Sequence, residues 1–256
     1  MVYLEENSPA RSQYRAVRRA EVTGAIVVHT AENNTDVKLP DGGAEAVARF
    51  ISTRTNAGSY HSVADSDSVV KVGKYEWEMF HEGTGGNRWS LGLSFACRAS
   101  QWGNLPDWWE EGALANGARE AKNMAKWVQN TTGVTVPAKR ISPVEYRAGE
   151  PGFVGHGELD PSRRSDPGDN FPWNTFLGAY DDGHFETEPT PTTLADRLAV
   201  RMFNMEALSY IDWTYRFHLK RTPSREELNY WLEVVRVDGL SAMRHAIANS
   251  DEAKDL

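Results

Sequence analysis

The stretch "GHGELDPSRRSDPGDNFPW", residues 155–173, sets a histidine between two glycines and, ten residues on, an aspartate ahead of a proline, with two arginines between them. His156 offers an imidazole nitrogen, Asp166 a carboxylate oxygen, and Arg163 and Arg164 offer cations. A third candidate donor, His29, lies near the end of the β-branched run "VTGAIVVHT", residues 22–30. Two neutral imidazoles and one carboxylate, with a fourth position left to water, form a donor set used by catalytic zinc. Such an ion draws the pKa of its water toward ~7 and polarises a carbonyl held beside it. Lone histidines at strand ends are more often structural or hydrogen-bonded, so spacing alone leaves both readings open.

These residues need elements to bring them together. The run at 22–30 reads as a strand that would hold His29 rigidly at its end. "AEAVARFIST" has helical spacing with Ala46, Val47 and Phe50 on one face. "SYHSVADSDSVVKVGKYEW" alternates as two short strands around a polar turn, and "RWSLGLSFACRA" reads as a further buried strand. "PDWWEEGALANGAREAKNMAKWVQNTTG" reads as one long helix, opened by Pro106 and stopped at Gly133. "RISPVEYRAGEPGFVGHGEL" leads through a loop and a short strand into the opening motif, and "FPWNTFLGAY" reads as a last short helix. Strands alternating with helices imply an α/β domain with a mixed central β-sheet flanked by helices, spanning 1–180. "DDGHFETEPTPTT", at 181–193, lacks periodicity and reads as a linker. Residues 194–256 read as three consecutive helices, a small all-α module in which Thr222 or Ser224 could cap the second helix.

Composition narrows the classes. The 256 residues carry a formal charge of −8, which argues against a nucleic-acid partner because such binders usually show a basic stripe. The single cysteine, Cys97, permits no internal disulfide and no CxxC zinc site, and its apolar surroundings suit a small buried hydrophobe. No apolar run is long enough to span a bilayer, so no membrane insertion is expected. The charged N-terminus lacks the apolar centre of a secretory signal, so synthesis in the cytoplasm is expected.

Four segments, in order, resemble the zinc-dependent type 2 N-acetylmuramoyl-L-alanine amidases, which share their fold with peptidoglycan recognition proteins. "VVHT" is similar to the family's first ligand strand, and "GSYHSVADSDSVVKV" to its Ser-Tyr-His strand and hairpin. "MFHEGTGGNRWSLGLSFA" is similar to the segment Trp-His-Ala-Gly, then Asn, then Ser-Ile-Gly-Ile-Glu. "GHGELDPSRRSDPG" is similar to the closing segment, where a His, a basic residue and an Asp or Cys recur before Pro-Gly. The resemblance covers roughly the first 180 residues. It implies zinc held by His29, His156 and Asp166, Tyr60 near the metal to orient or activate water, and His81 on the substrate side, the plainer reading of His81 being a loop hydrogen bond; Asn87 reads as a turn residue that could also reach the substrate cleft. Arg164 falls where many members carry lysine. A guanidinium stays charged and is a poor proton shuttle, so an electrostatic role toward the oxyanion is expected. One departure stands out: Ser94 occupies the place of the glutamate that ends Ser-Ile-Gly-Ile-Glu. Proton transfer would then fall to the metal-bound water with Tyr60, to Asp166, or to a neighbour.

Other residues carry plainer readings. His61 should point away from Tyr60, because adjacent side chains on a strand face opposite sides, and it reads as structural. Arg163 either meets stem-peptide carboxylates or faces water. Of Trp108 and Trp109, one is expected in the core and the other could stack on sugar. His184, His218 and His245 are assigned no metal role. The helical module resembles a short domain found beside bacterial surface and secreted proteins, through Lys220-Arg221, Tyr230-Trp231 and "IANSDEA". Either Trp231, Leu232 and Ile247 simply form its core, or it targets the cell wall.

Together these imply a peptidoglycan hydrolase of the phage endolysin type, cleaving the amide between N-acetylmuramic acid and L-alanine after release to the wall. The alternatives are a non-catalytic peptidoglycan-binding recognition protein and a zinc amidase acting on another amide.

Overall fold

The run Ala25–Thr30 forms strand β3, and all six of its residues are buried. A strand covered on both faces needs apolar or small residues at every position, and "AIVVHT" meets that need except at its final polar pair. The computed structural model describes residues 2–5, 9–18, 20–37 and 42–182, and beyond them 211–212, 214–224, 227–228, 230–231, 243, 246–247 and 250. Two compact units are present: 1–105 with 109–190, and 106–108 with 191–256.

In the first unit the strands in chain order are β1 (Val2–Glu5), β2 (Tyr14–Arg15), β3, β4 (Ser62–Ala64), β5 (Ser68–Lys71), β6 (Glu78–Met79), β7 (Leu91–Phe95) and β8 (Gly152–Gly155). Six of them make one mixed sheet in the order β1-β5-β4-β7-β3-β8, while β2 and β6 pair separately. Within the large sheet only the β4–β5 hairpin is antiparallel. The helices are α1 (Ala44–Thr53), α2 (Asp107–Thr132), α3 (Pro143–Ala148), α4 (His156–Leu159) and α5 (Trp173–Asp182). A mixed central sheet flanked by helices is thus the architecture.

Helix α1 spans the expected residues but buries a different stripe. Ala44, Val47, Ala48 and Ile51 pack with Val63 and Val70, whereas Phe50 is 58% exposed beneath the Arg54 guanidinium. Residues 44, 47, 48 and 51 follow the 3.6-residue period more closely than 46, 47 and 50. Helix α2 lays Gly117 against the Phe95 ring, so close that a Cβ there would sit 2.4 Å from Phe95 Cζ. Phe95 contacts Trp102, Phe171 and Phe176 in edge or tilted geometry, which closes this side of the core. Cys97 is fully buried, as its apolar setting implied.

Three differences from the sequence reading have local causes. Residues 143–148, read as loop, form α3; Ser142 Oγ accepts from Glu145 N at 3.2 Å and Glu145 accepts from Ser142 N at 2.7 Å, a capping box with Pro143 behind the cap. His156 opens the single-turn helix α4 rather than lying in a loop. Helix α5 continues through Asp181 and Asp182, two residues into the expected linker, whose remainder lies outside the described residues, as do His184 and His245.

In the second unit, Ile211, Tyr215, Leu219, Met243 and Ile247 form a buried cluster against which Trp108, Leu228 and Trp231 pack. Trp231 Nε1 donates to the Tyr215 hydroxyl at 2.7 Å. Ser224, rather than Thr222, is the cap: its Oγ accepts from Glu227 N at 3.2 Å, and its N–H donates to the Glu227 carboxylate at 2.7 Å. Trp231 and Ile247 therefore sit in a core, and Leu232 lies outside the described residues. Trp109 is fully buried in the first unit. Among the described residues no helix is long and apolar enough to cross a membrane.

Candidate metal centre and cleft

Strand register brings the two histidines together. Val28 of β3 is the parallel partner of Gly155, the last residue of β8, so the residues that follow them, His29 on β3 and His156 at the start of α4, emerge side by side. Their rings lie 4.6 Å apart, centroid to centroid. The glycines on either side of His156 are both steric requirements. A Cβ at Gly155 would stand 2.9 Å from Pro167 Cδ, and one at Gly157 would stand 3.0 Å from the Ser165 backbone. The Gly157 N–H donates to the Asp166 carbonyl, which folds the loop back over α4. That fold returns the Asp166 carboxylate to the histidines: Oδ2 lies 2.9 Å from His29 Nδ1 and 3.1 Å from His156 Nδ1.

The three donor atoms all fall within 4.8 Å of one another, and all three residues are buried. Burial lowers His29 to about 4, outweighing the Asp166 hydrogen bond, so this imidazole is neutral at pH 7. Burial works to raise Asp166, but the hydrogen bonds from His156 and His29 win and hold the carboxyl well below the usual carboxylate range. A neutral imidazole and an ionised carboxylate are the protonation states that a divalent ion requires. The donor set fits zinc in its three-ligand form.

Around this centre lies a cleft of about 590 Å³ whose walls include Tyr60, His81, Asn87, Arg164 and the three further arginines Arg15, Arg54 and Arg163. Tyr60 faces His29 with ring centroids 5.1 Å apart, and burial with the Asp166 charge pushes its phenol up to about 12. Arg164 is exposed on the rim, while Arg163 is paired with Asp160. Asn87 folds the loop as well as lining the cleft: its Oδ1 accepts from His81 N at 2.9 Å and Glu82 N at 2.7 Å. His81 reaches past the cleft wall to the centre, with Nδ1 3.3 Å from His29 Nε2. His61 is set apart by its own bonds, accepting from Gly92 N at 2.9 Å while its Nε2 lies 3.1 Å from the Trp77 carbonyl. His218 belongs to the second unit.

Sequence reasoning missed three residues. Arg18 drives a largely buried guanidinium against the carbonyls of Tyr75, Asn87 and Ser90 at 2.8–3.1 Å, and burial lowers it to about 10. Glu82 is buried in the cleft wall and accepts from Thr84 and Gly86, stapling the loop with Gly83 and Gly85 at positive φ. Burial raises its carboxyl, and those hydrogen bonds oppose the rise. Ser90 is fully buried and touches His81, Gly86 and Tyr146. Only the Glu-Gly-Thr-Gly-Gly run signalled a turn in advance, since the partners of Arg18 and Ser90 are remote in sequence.

No family model matches the sequence, and neither does any curated protein. Among solved structures, the chain is similar to the catalytic domain of XlyA, with 18% identity and a TM-score of 0.45 over 70% of this chain and 97% of that one. It is similar to the PlyG catalytic domain, with 18% identity and a TM-score of 0.47 over 74% and 99%. It is similar also to the Staphylococcus aureus hydrolase AmiA, with 14% identity and a TM-score of 0.47 over 74% and 87%.

Proposed function

We propose that this chain is a zinc-dependent N-acetylmuramoyl-L-alanine amidase of the phage endolysin type, with the second unit serving to target it to the cell wall. The observation that carries the reading is the convergence of His29 Nδ1, His156 Nδ1 and Asp166 Oδ2 beside a cleft lined by Tyr60 and Arg164. Bound by those three atoms, zinc would supply Lewis acidity toward a water and a carbonyl. The Tyr60 hydroxyl, beside His29, would orient a water by hydrogen bonding. Arg164, exposed on the rim, supplies a fixed positive charge toward the oxygen of the scissile amide as it becomes negative. The cleft arginines suit a stem peptide bearing carboxylates. With all three donors present, a catalytic role is favoured over recognition alone.

The test is digestion of purified cell walls by zinc-loaded protein, followed by end-group analysis. Turbidity should fall and new N-terminal alanine should appear, EDTA should stop both, and His29→Ala should abolish lysis while leaving wall binding. Full activity in EDTA, or fragments ending in reducing sugar without free alanine, would sink the reading. Wall binding without cleavage would point to a recognition protein, and cleavage of a different amide to a zinc hydrolase with another substrate.

A further inference from the structure

Ser90 Oγ has three neighbours: the Gly86 carbonyl at 2.8 Å, the Tyr146 hydroxyl at 3.1 Å and His81 Nε2 at 3.3 Å. A serine hydroxyl has one proton to donate and two lone pairs to accept with. The Gly86 carbonyl can only accept, so the Ser90 proton goes to it. Ser90 must then accept from both Tyr146 O–H and His81 Nε2–H. A neutral His81 with its proton on Nε2 has a lone pair on Nδ1. That lone pair faces His29 Nε2 at 3.3 Å. With a metal ion on its Nδ1 side in place of the Nδ1–H···Asp166 hydrogen bond, His29 carries its proton on Nε2 and donates it to that lone pair.

We propose that His81 and Ser90 form a one-directional hydrogen-bond relay, anchored on the Gly86 carbonyl, that fixes the tautomer and ring angle of His29 so that Nδ1 is its metal donor. This rests on the zinc reading of the site. A metal-ligating histidine usually gives its second N–H to a carboxylate, a carbonyl or water; here a second histidine takes that place. The chain makes room for it: a Cβ at Gly92 would lie 2.6 Å from His81 Cγ, so only glycine lets the His81 ring stand against β7. The His81 backbone is held in turn by Asn87 Oδ1. His81 is accordingly a positioning residue, acting through His29, in addition to being part of the cleft wall.

The experiment uses the full chain with 15N-labelled histidine, metal-free and zinc-loaded, with long-range 1H–15N correlation spectra to read ring tautomers and chelator competition to read zinc affinity. His81 should be in the Nε2–H form in the zinc-loaded protein. His81→Leu should weaken zinc binding by about 10–100-fold. His81→Asn, whose Oδ1 stands near the place of Nδ1 and can accept from His29 Nε2–H, should restore most of that loss. Ser90→Ala removes one oxygen and should bring a population of Nδ1–H His81 together with weaker zinc binding, and it carries the test should His81→Leu not fold. An Nδ1–H His81 in the zinc-loaded wild type, or wild-type zinc affinity in a folded His81→Leu or Ser90→Ala variant, overturns the relay while leaving the zinc reading intact. A wild-type protein that binds no zinc overturns both.

Discussion

Ser94 on β7 stands directly across from His29 in the parallel pairing with β3. Side chains of register partners in neighbouring strands share a face, so this position is the one from which a carboxylate would reach the candidate metal centre. The slot is fully buried. The other carboxylates lining the cleft are committed elsewhere: Glu32 accepts from Thr30 Oγ1 at 2.7 Å and Ala99 N at 2.8 Å, and Glu82 staples its own loop. Ser94→Glu should therefore cost about 2 kcal/mol or more in the metal-free protein, through burial of an ionisable group without a partner. Denaturant unfolding reads this, and an unchanged midpoint would mean that the slot is wetter than its burial indicates.

Zinc should stabilise the fold by mass action. At a free concentration 100 times its dissociation constant, a ligand specific for the native state adds about 2.7 kcal/mol. Thermal unfolding with and without zinc should show a rise in Tm for the wild type and none for Asp166→Ala, whose remaining donors are the two imidazoles. An equal rise in the variant would place the ion elsewhere.

On the proposed amidase reading, Arg164 acts on the oxyanion rather than on substrate binding. Removal of one group that stabilises an oxyanion lowers kcat by about 10²–10³-fold. Arg164→Gln should show this loss on a soluble muramyl peptide with KM little changed, and Arg164→Lys should recover part of it by restoring the charge. A rise in KM at constant kcat would instead make Arg164 a substrate-binding residue.

Arg18 holds three loop carbonyls from the N-terminal side. Arg18→Met keeps most of the aliphatic stem but leaves those acceptors without their buried donors, at a cost of about 3 kcal/mol. Chemical denaturation should show the shift, and the zinc affinity should fall with it, because Asn87 and Ser90 belong to the segment that supports His81. A variant as stable as the wild type would mean that water replaces the guanidinium.

The capping box of α3 gives a pH signature. Hydrogen bonds from Lys139 and then Ser142 lower Glu145 from 4.5 to about 2. A carboxyl with a depressed folded pKa adds stability that is present above its unfolded value and is lost as pH falls through its folded value. The Tm gap between wild type and Glu145→Gln should be widest above pH 5 and should close toward pH 2. A gap independent of pH would assign the effect to helix geometry rather than charge.

Much of this protein is written locally in its sequence. The β-branched run before His29, the helical period of residues 44–53, the stop at Gly133 and the two-glycine frame around His156 are all decided by neighbours within a few residues, and each appears in the structure. Helix α3 was equally legible, since Ser142-Pro143-x-Glu145 is a cap signal in its own right. The buried stripe of α1 was not, because which face turns inward depends on the sheet beneath it. Strand β1 pairs in parallel with β5, which is remote in sequence, and no local pattern encodes that partnership. The same holds for the candidate metal centre. Residue type selected His29, His156 and Asp166, but only the register of β3 against β8, and the return of the 157–166 loop, set their donor atoms within reach of one ion. His81 changed most, from a residue on the wall of a cleft to the partner of His29, because a side-chain hydrogen bond across 52 positions depends on the packing of strands and not on the chain between them.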